Sequence, residues 1–200
     1  MNNFLKNRRS IRDFKNKKLD ENTIDEIRKY CIQLEKDNGE KDFEYIFYED
    51  GDRVFKHLDG IGGYAGVMIE SPHYIGIKLK EVTEKSIINA SYYTEKLMAN
   101  LSLLNLGSCW VSIKDVKEHI RADVLGDENK NIGYLIALGY PKAKNPFIQE
   151  TTSSRYSIKD IVYKEEMGKM ITVDELESRG LDDLFYYIRF APSNYNKQPW

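Results

Sequence analysis

The chain has 200 residues, of which 41% are hydrophobic and 31% charged, and its formal net charge at pH 7 is −2. A chain of this length buries roughly 70% of its unfolded surface, so a core can form without metal ions or disulfides. The slightly negative charge argues against general nucleic-acid binding. No run of 18 apolar residues predicts a membrane span, and the N-terminal residues lack the apolar stretch of a secretory signal, so we expect a cytoplasmic protein.

Cysteine and histidine are too few and too scattered to predict a metal site. Cys31 and Cys109 cannot form a zinc site by themselves, and we expect each to be a small buried hydrophobe in a reducing compartment. His57, His73 and His119 show no ligand spacing, so surface exposure or internal hydrogen bonding is expected for them. The sequence therefore predicts no metal centre.

Residues 1–18 form a basic arm in a chain that is slightly acidic as a whole. Seven of them are basic and only Asp13 is acidic. Guanidinium groups bind phosphate oxygens bidentately, and a serine hydroxyl adds a donor. If the arm is extended, its alternate residues Arg8, Ser10 and Arg12 share one face. The pattern favours an anion site; a solvated basic terminus and a nucleic-acid-binding arm are the alternative interpretations.

Apolar periodicity predicts the regular elements that follow the arm. A first helix, capped by Asp20 or Thr23, is expected to bury one stripe comprising Ile24, Ile27, Cys31 and Leu34. Strands are predicted at Phe43–Tyr48, His73–Leu79, 109–113 and 132–138. Further helices are predicted at about 86–106, 115–124 and 181–190, with Gly107 as the C-cap of the first of these. Because helices and strands do not alternate strictly, the order indicates an α+β fold.

The last ten residues combine two prolines with several amide and hydroxyl side chains. Ser193, Asn194, Asn196 and Gln198 offer donors and acceptors that suit the polar edge of a flat ring. An ordinary Asn/Pro turn after a helix is the alternative. A phosphorylated, flat cofactor needs both an anion site and such an amide frame, so the two ends of the chain together predict one.

Three other segments carry weaker signals. Residues 60–65 match a relaxed dinucleotide fingerprint, but a polar segment precedes them where a strand is required, so no Rossmann site is expected. Residues 107–110, Gly-Ser-Cys-Trp, are either a tight turn that brings backbone N–H groups to a ligand or a plain C-cap. Arg155, in a Ser/Thr-rich loop, is a candidate for completing a phosphate site.

Together these segments resemble the FMN-dependent nitroreductase family over nearly the whole chain. The matching motifs are Arg8-Arg-Ser-Ile-Arg12-Asp-Phe, Leu106-Gly-Ser-Cys-Trp110-Val-Ser-Ile, the Gly-Tyr-Pro strand at 132–141, and residues 191–200. The resemblance implies an α+β nitroreductase-like fold with a central antiparallel sheet packed with helices. It also implies a role for each matching residue.

The phosphate end of FMN would be held by the basic arm. Arg8, Arg9 and Ser10 would bind the phosphate, and Arg155 would join them from the later loop. Arg12 would lie near N1 and O2 of the isoalloxazine ring, where positive charge favours the reduced flavin.

The ring end of FMN would be held by two other segments. The terminal motif would contact the ring and its pyrimidine edge through Ser193, Asn194 and Asn196. Backbone groups of Trp110, Val111 and Ser112 would face N5, where hydride enters and leaves. No side chain is expected to act as a catalytic acid or base.

The order of the motifs resembles a subgroup in which one chain carries two nitroreductase-like halves. In ordinary members the asparagine loop follows the first helix and completes the site of a partner subunit. Here that loop follows the last helix, so a single chain would imitate the family dimer. We interpret residues 1–200 as one domain, with halves at about 1–163 and 164–200, of which the second is truncated because relatives continue beyond the position of Trp200.

The implied reaction is a two-electron ping-pong transfer. NADH or NADPH gives hydride to flavin N5 and leaves, and an electron-poor acceptor such as a nitroaromatic or a quinone replaces it. The expected partner is therefore a small molecule, with neither nucleic acid nor membrane, and the expected state is a monomer or a weak homodimer. A flavin-binding protein of the same fold without reductase activity is the alternative. Tyr64, Tyr92 and Trp110 are candidates for stacking, although core packing is favoured for each.

Overall fold

The structure is a computed structural model that describes residues 4, 8–39, 42–143, 154–193 and 196–199. Contacts divide the chain into two compact units. The sheet unit comprises Arg9–Ala143, and the terminal unit comprises Met1–Arg8 together with Lys144–Trp200. Among the described residues, all the strands belong to the sheet unit and three short helices belong to the terminal unit.

Helices and strands both contribute to the sheet unit. Its helices are α1 (Glu21–Asp37), α2 (Gly51–Leu58), α3 (Glu84–Leu103) and α4 (Glu118–Leu125), and its strands are β1 (Phe43–Tyr48), β2 (His73–Leu79), β3 (Gly107–Ser112) and β4 (Tyr134–Gly139). The terminal unit contains α5 (Ile158–Ile161), α6 (Val173–Ser178) and α7 (Asp182–Ile188). The predicted α+β class is confirmed.

The four strands form one antiparallel sheet in the order β1-β2-β4-β3. Phe43 lies opposite Leu79, His73 opposite Leu138, and Gly107 opposite Gly139. The run of β4 from 135 to 138 is fully buried because that strand has neighbours on both sides. β3 lies at the edge of the sheet, and this leaves one side of its backbone available to other segments.

The predicted stripe of α1 is confirmed, since its four apolar residues are all buried. Of the two candidate caps, Asp20 is the one used. Its Oδ1 accepts a hydrogen bond from the Thr23 N–H at 3.0 Å, and its Oδ2 accepts from the Thr23 hydroxyl at 2.9 Å. A carboxylate at this position satisfies an N–H group that has no partner within the helix.

The prediction that Gly107 caps α3 is wrong. α3 ends at Leu103, and the left-handed residue that follows it is Asn105, with φ of +58°. Asn tolerates that conformation because its short polar side chain can bond locally. Gly107 is the first residue of β3, where an added Cβ would lie 2.7 Å from Cγ2 of Ile11. The basic arm therefore requires a glycine there.

Sequence analysis missed α2, α5 and α6, all of which are eight residues or shorter. In α2, Asp50 accepts from the Arg53 N–H at 3.1 Å, and Val54 and Leu58 are buried four residues apart. One buried pair in so short a segment gives no periodicity that could be recognised. The strands predicted at 109–113 and 132–138 are β3 and β4, and each predicted end differs from the observed one by one or two residues.

Each unit has a core of its own. Buried side chains of α2, α4 and the sheet form the larger core, and Leu58, Ile132 and Leu135 in it are fully buried. Val162, Ile171 and Leu176 form the small core of the terminal unit. Cys31 and Cys109 are both buried, as predicted. None of the described helices is long and apolar enough to cross a membrane.

Candidate functional site

The basic arm lies along one end of β3 and the segment after β4. The Ile11 N–H donates to the Ser108 carbonyl at 3.0 Å, and the Lys15 N–H donates to the Tyr140 carbonyl at 2.8 Å. In return the Asp13 carbonyl accepts from the Lys142 N–H at 3.0 Å. Phe14 is buried in the core of the sheet unit. Residues 9–18 of the arm are therefore an ordered part of the sheet unit.

The charged side chains of residues 9–18 are exposed, whereas Phe14 is buried and Ile11 is half-buried. Ile11 packs against Gly107, so its neighbours Ser10 and Arg12 point to the other side of an extended backbone. Arg9 and Arg12 are exposed and Ser10 is half-buried. The placement suits contact with an anionic ligand. Arg8, which was predicted to share a face with Ser10 and Arg12, belongs to the terminal unit.

The far end of the arm is fixed by a buried histidine. The ring of His73 is 0% exposed, and its Nε2 accepts from the Leu19 N–H at 3.0 Å. Burial lowers the pKa of His73 below its ordinary value, and the positive charge of Lys18 lowers it further, while Glu49 acts in the opposite direction. The neutral ring is therefore the form that holds Leu19.

Trp110 lies at the middle of the outer edge of β3. The carbonyl groups of Ser108 and Ser112 face this edge, because they accept from Ile11 and Gly63 at 3.0 and 2.8 Å. Since strand backbones alternate with a period of two, the N–H and C=O of Trp110 face the same edge. The predicted N5-facing backbone therefore lies between the basic arm and the glycine segment.

The side chains of Trp110, Val111 and Ser112 have different surroundings. The Trp110 indole donates to Glu95 Oε1 at 3.0 Å and packs edge-on against Tyr134. Val111 is buried in the core of the sheet unit. The Oγ atom of Ser112 is buried and has no hydrogen-bond partner among the described residues. A buried hydroxyl without a partner is costly, and a polar ligand atom would satisfy it.

The glycine segment at 60–66 is a tight turn and not a dinucleotide fingerprint. It follows α2, and the next regular element is β2, so the strand before it and the helix after it are both missing. Gly63 has φ of +72°, and an added Cβ would lie 2.0 Å from the Val67 carbonyl oxygen. The turn needs glycine there so that the Gly63 N–H can reach Ser112.

The terminal unit ties Arg155 to the terminal motif. Arg155 Nη1 donates to Asn196 Oδ1 at 2.7 Å and to the Ala191 carbonyl at 3.3 Å. Asn196 Nδ2 donates to the Ser154 carbonyl at 3.0 Å. The guanidinium predicted to bind phosphate and the amide predicted to border the ring are therefore in direct contact.

Two positive charges lie near each other in this unit. Burial, and then the charge of Arg8, lower the pKa of Arg155 below its ordinary value. Like charges repel in the absence of an anion, whereas a phosphate would interact favourably with both. Arg8 and Arg155, both predicted to bind the phosphate, thus belong to the same unit, and the charge of Arg8 acts on Arg155.

Three expectations concern other residues of the site. Asn194 lies outside the described residues. The prediction of core packing is wrong for Tyr64 and Tyr92, whose side chains are 63% and 58% exposed. Trp110 is half-buried. Gln198 was predicted to offer hydrogen-bonding groups to a ring edge but was not assigned as a flavin ligand, and it is the most buried described residue of the terminal motif. Its burial and its partners on the segment of Arg155 leave no signal in the local sequence.

A family model described as "Putative TM nitroreductase" matches residues 1–200 of the sequence. The match spans the basic arm, the sheet and the terminal motif. Comparison with curated protein sequences gives no match.

Several solved structures share this fold. The FMN-dependent nitroreductase of Clostridium difficile R20291 gives a TM-score of 0.63 at 22% identity and covers 84% of this chain and 100% of its own. A nitroreductase with bound FMN from Bacteroides fragilis NCTC 9343 gives a TM-score of 0.60 at 15% identity. The match covers 76% of this chain and 93% of that one. A protein of Thermotoga maritima MSB8, named a "putative nitroreductase", gives a TM-score of 0.59 at 20% identity. The match covers 100% of this chain and 69% of that one. At these identities the likeness shows the fold.

Proposed function

The chain belongs to the nitroreductase family, and we propose on that basis that it is an FMN-dependent oxidoreductase that passes hydride from NADH or NADPH to an electron-poor acceptor. The observation that carries the proposal is the family match over residues 1–200. The family predicted from the sequence motifs is thereby confirmed. Nitroaromatics and quinones are the proposed acceptors.

The cation pair of the terminal unit supports a phosphate-binding role. The positive charge of Arg8 disfavours the charged form of Arg155. A phosphate dianion would stabilise both guanidinium groups and supply acceptors for their N–H groups. We assign the FMN phosphate to Arg8, Arg155, Arg9 and Ser10, and we assign Arg12 to the N1 and O2 edge of the ring.

The buried hydroxyl of Ser112 and the outward backbone of Trp110 support a ring-binding role for the end of β3. Both offer hydrogen-bonding groups that the described residues do not fully use. We assign Trp110, Val111 and Ser112 to the N5 side of the ring. The pyrimidine edge is assigned to Ser193, Asn194 and Asn196.

The protein's contribution to the reaction is orientation and electrostatics. When bound, FMN accepts a hydride at N5 and delivers it to the second substrate. Arg12 would place positive charge beside the pyrimidine edge, and the residues of β3 would hold the reacting face at a fixed distance from the substrate. No acid or base among the side chains is assigned to the reaction.

The single-chain arrangement is part of the proposal. The asparagine-rich motif follows α7 and does not follow α1, so one chain can provide every assigned contact. The Thermotoga structure, which this chain covers over 69% of its length, is longer than this chain. We propose a monomer or a weak homodimer, acting in the cytoplasm on small molecules.

The test is the absorption spectrum of the purified full chain, followed by a steady-state assay. We expect visible flavin bands and oxidation of NADH or NADPH that depends on an added quinone or nitroaromatic. Parallel double-reciprocal plots would identify the ping-pong order. A colourless protein that does not bind added FMN would contradict the proposal, and a yellow protein without activity would favour a flavin-binding role alone.

A further inference from the structure

Gln198 is the one described residue of the terminal motif whose side chain is buried, with 7% of its surface exposed. Its neighbours Lys197 and Pro199 are exposed. Polar side chains are rarely buried unless they are hydrogen-bonded, so the location of this amide requires partners.

The Gln198 side chain has partners on two segments. Its Oε1 accepts from the Tyr156 N–H at 2.9 Å, and its Nε2 donates to the carbonyl groups of Ser154 and Asn196, each at 3.3 Å. Its own backbone N–H donates to Ser193 Oγ at 3.0 Å. Gln198 thus connects the segment that carries Arg155 to Ser193 and Asn196 of the terminal loop, which is described at residues 193 and 196–198.

The backbone of this loop adopts an unfavourable conformation. Asn196 and Gln198 have φ of +54° and +49°. Asparagine is enriched among left-handed residues, whereas a long side chain such as glutamine is uncommon there. Such conformations persist where surrounding contacts enforce them, and they cluster at ligand-binding sites. The hydrogen bonds of Gln198 are the contacts that enforce this one.

We propose that Gln198 is a positioning residue that holds Ser193 and Asn196 in the conformation that binds the flavin ring. The inference rests on the proposed function, because it assigns the loop to the ring. Arg155 also reaches this loop, but its guanidinium is assigned to the phosphate, so Gln198 is the link whose removal leaves every assigned ligand contact chemically intact. Without Gln198 the loop would have to be ordered at the expense of binding free energy.

The test compares the binding of FMN and of riboflavin, which lacks the phosphate, to the full chain by flavin fluorescence. Gln198→Met keeps the length of the side chain and removes its three hydrogen bonds. Both affinities should fall by roughly tenfold, and their ratio should stay constant, because the ring end alone is affected. Gln33→Met makes the same substitution at an exposed position of α1 and should change neither affinity.

A second variant distinguishes hydrogen bonding from packing. In Gln198→Glu an ionised carboxylate can accept from Tyr156 but cannot donate to the carbonyls of Ser154 and Asn196. Protonation restores one donor, and burial favours the protonated form. Riboflavin affinity of this variant should therefore rise as the pH is lowered from about 8 to about 5, while that of the wild type should not.

Hydrogen exchange of the flavin-free protein separates this proposal from the proposed function. The Tyr156 amide should exchange faster in Gln198→Met than in the wild type, since its acceptor is gone. Equal flavin affinities in Gln198→Met and the wild type would overturn the positioning role while leaving the flavin function in place. A wild type that binds neither flavin would contradict the proposed function, and with it the positioning of a flavin-binding loop by Gln198, even if the exchange result holds.

Discussion

The two units hold their candidate ligand residues by different means. In the sheet unit, backbone hydrogen bonds from the arm to β3 and to the segment after β4 fix Ser10 and Arg12, and the strand itself fixes Trp110. In the terminal unit, the side chains of Arg155 and Gln198 hold the loop. Backbone bonds survive most substitutions, whereas the second arrangement depends on a few particular side chains.

The core of the sheet unit is also the larger of the two cores. The sheet unit buries many apolar side chains of its four helices and its sheet, whereas the terminal unit buries three among its described residues. A region with few buried apolar contacts opens more readily than the rest of a protein. The terminal unit should therefore be the less stable of the two, and substitutions in it should affect ligand binding before they affect the fold.

The largest expected effect comes from cavities made in the two cores. Leu135→Ala should lower the free energy of unfolding of the protein by about 2–5 kcal/mol, because this side chain is fully buried. Leu176→Ala should instead open the terminal unit locally, with the sheet retained. Urea unfolding followed by circular dichroism, together with hydrogen exchange, measures both. Equal protection of residues 154–193 in Leu176→Ala and the wild type would show that the two units unfold together.

Arg8→Ala should weaken FMN binding by about 1.5–3 kcal/mol, the usual contribution of a hydrogen bond to a charged group. Riboflavin serves as the control ligand, since its affinity should not change in this variant. Titration of both ligands provides the measurement. An unchanged FMN affinity would show that the phosphate is not bound by Arg8. Asn196→Ala should instead reduce the affinities for FMN and riboflavin together, because both ligands carry the ring.

Ser112→Ala tests whether the buried hydroxyl serves the fold or a ligand. Without flavin, the variant should be as stable as the wild type or more stable by up to about 1 kcal/mol, because a buried hydroxyl without a partner is removed. With flavin, the ring should bind more weakly. Ser102→Ala, at an exposed position of α3, should change neither quantity. A loss of stability in flavin-free Ser112→Ala would show that the hydroxyl has a structural partner.

The smallest expected effect is a pH dependence of the free energy of unfolding that arises from His73. Since burial lowers the pKa of His73, the folded state disfavours the charged ring. The stabilisation that results is complete above the ordinary value of 6.5 and is lost as the pH falls toward the lowered pKa of the folded state. Urea unfolding should show this decline in the wild type. It should be reduced in His73→Gln and retained in His57→Gln, in which an exposed ring is replaced.

Local sequence patterns predicted the elements whose burial repeats regularly. The stripe of α1 and the strands β1 and β2 were predicted with their bounds, because several buried residues in each fall on one face or in one apolar run. Short elements such as α2 contain too few buried residues to show the apolar periodicity that identifies a helix. The exposed position of Tyr64 was missed because an aromatic residue in a glycine-rich segment carries no local sign of its burial.

For the site, the sequence by itself determined which residue types are present: guanidinium groups in the arm, amides in the terminal motif and the Gly-Ser-Cys-Trp segment that begins β3. Their chemistry follows from the side chains, so it could be inferred from the motifs. Only the tertiary structure decided that Gly107 accommodates Ile11, that Ser112 lacks a partner among the described residues, and that Gln198 holds the terminal loop. These facts depend on segments 42 to 96 residues apart in the chain, and no local pattern records which distant atoms will meet.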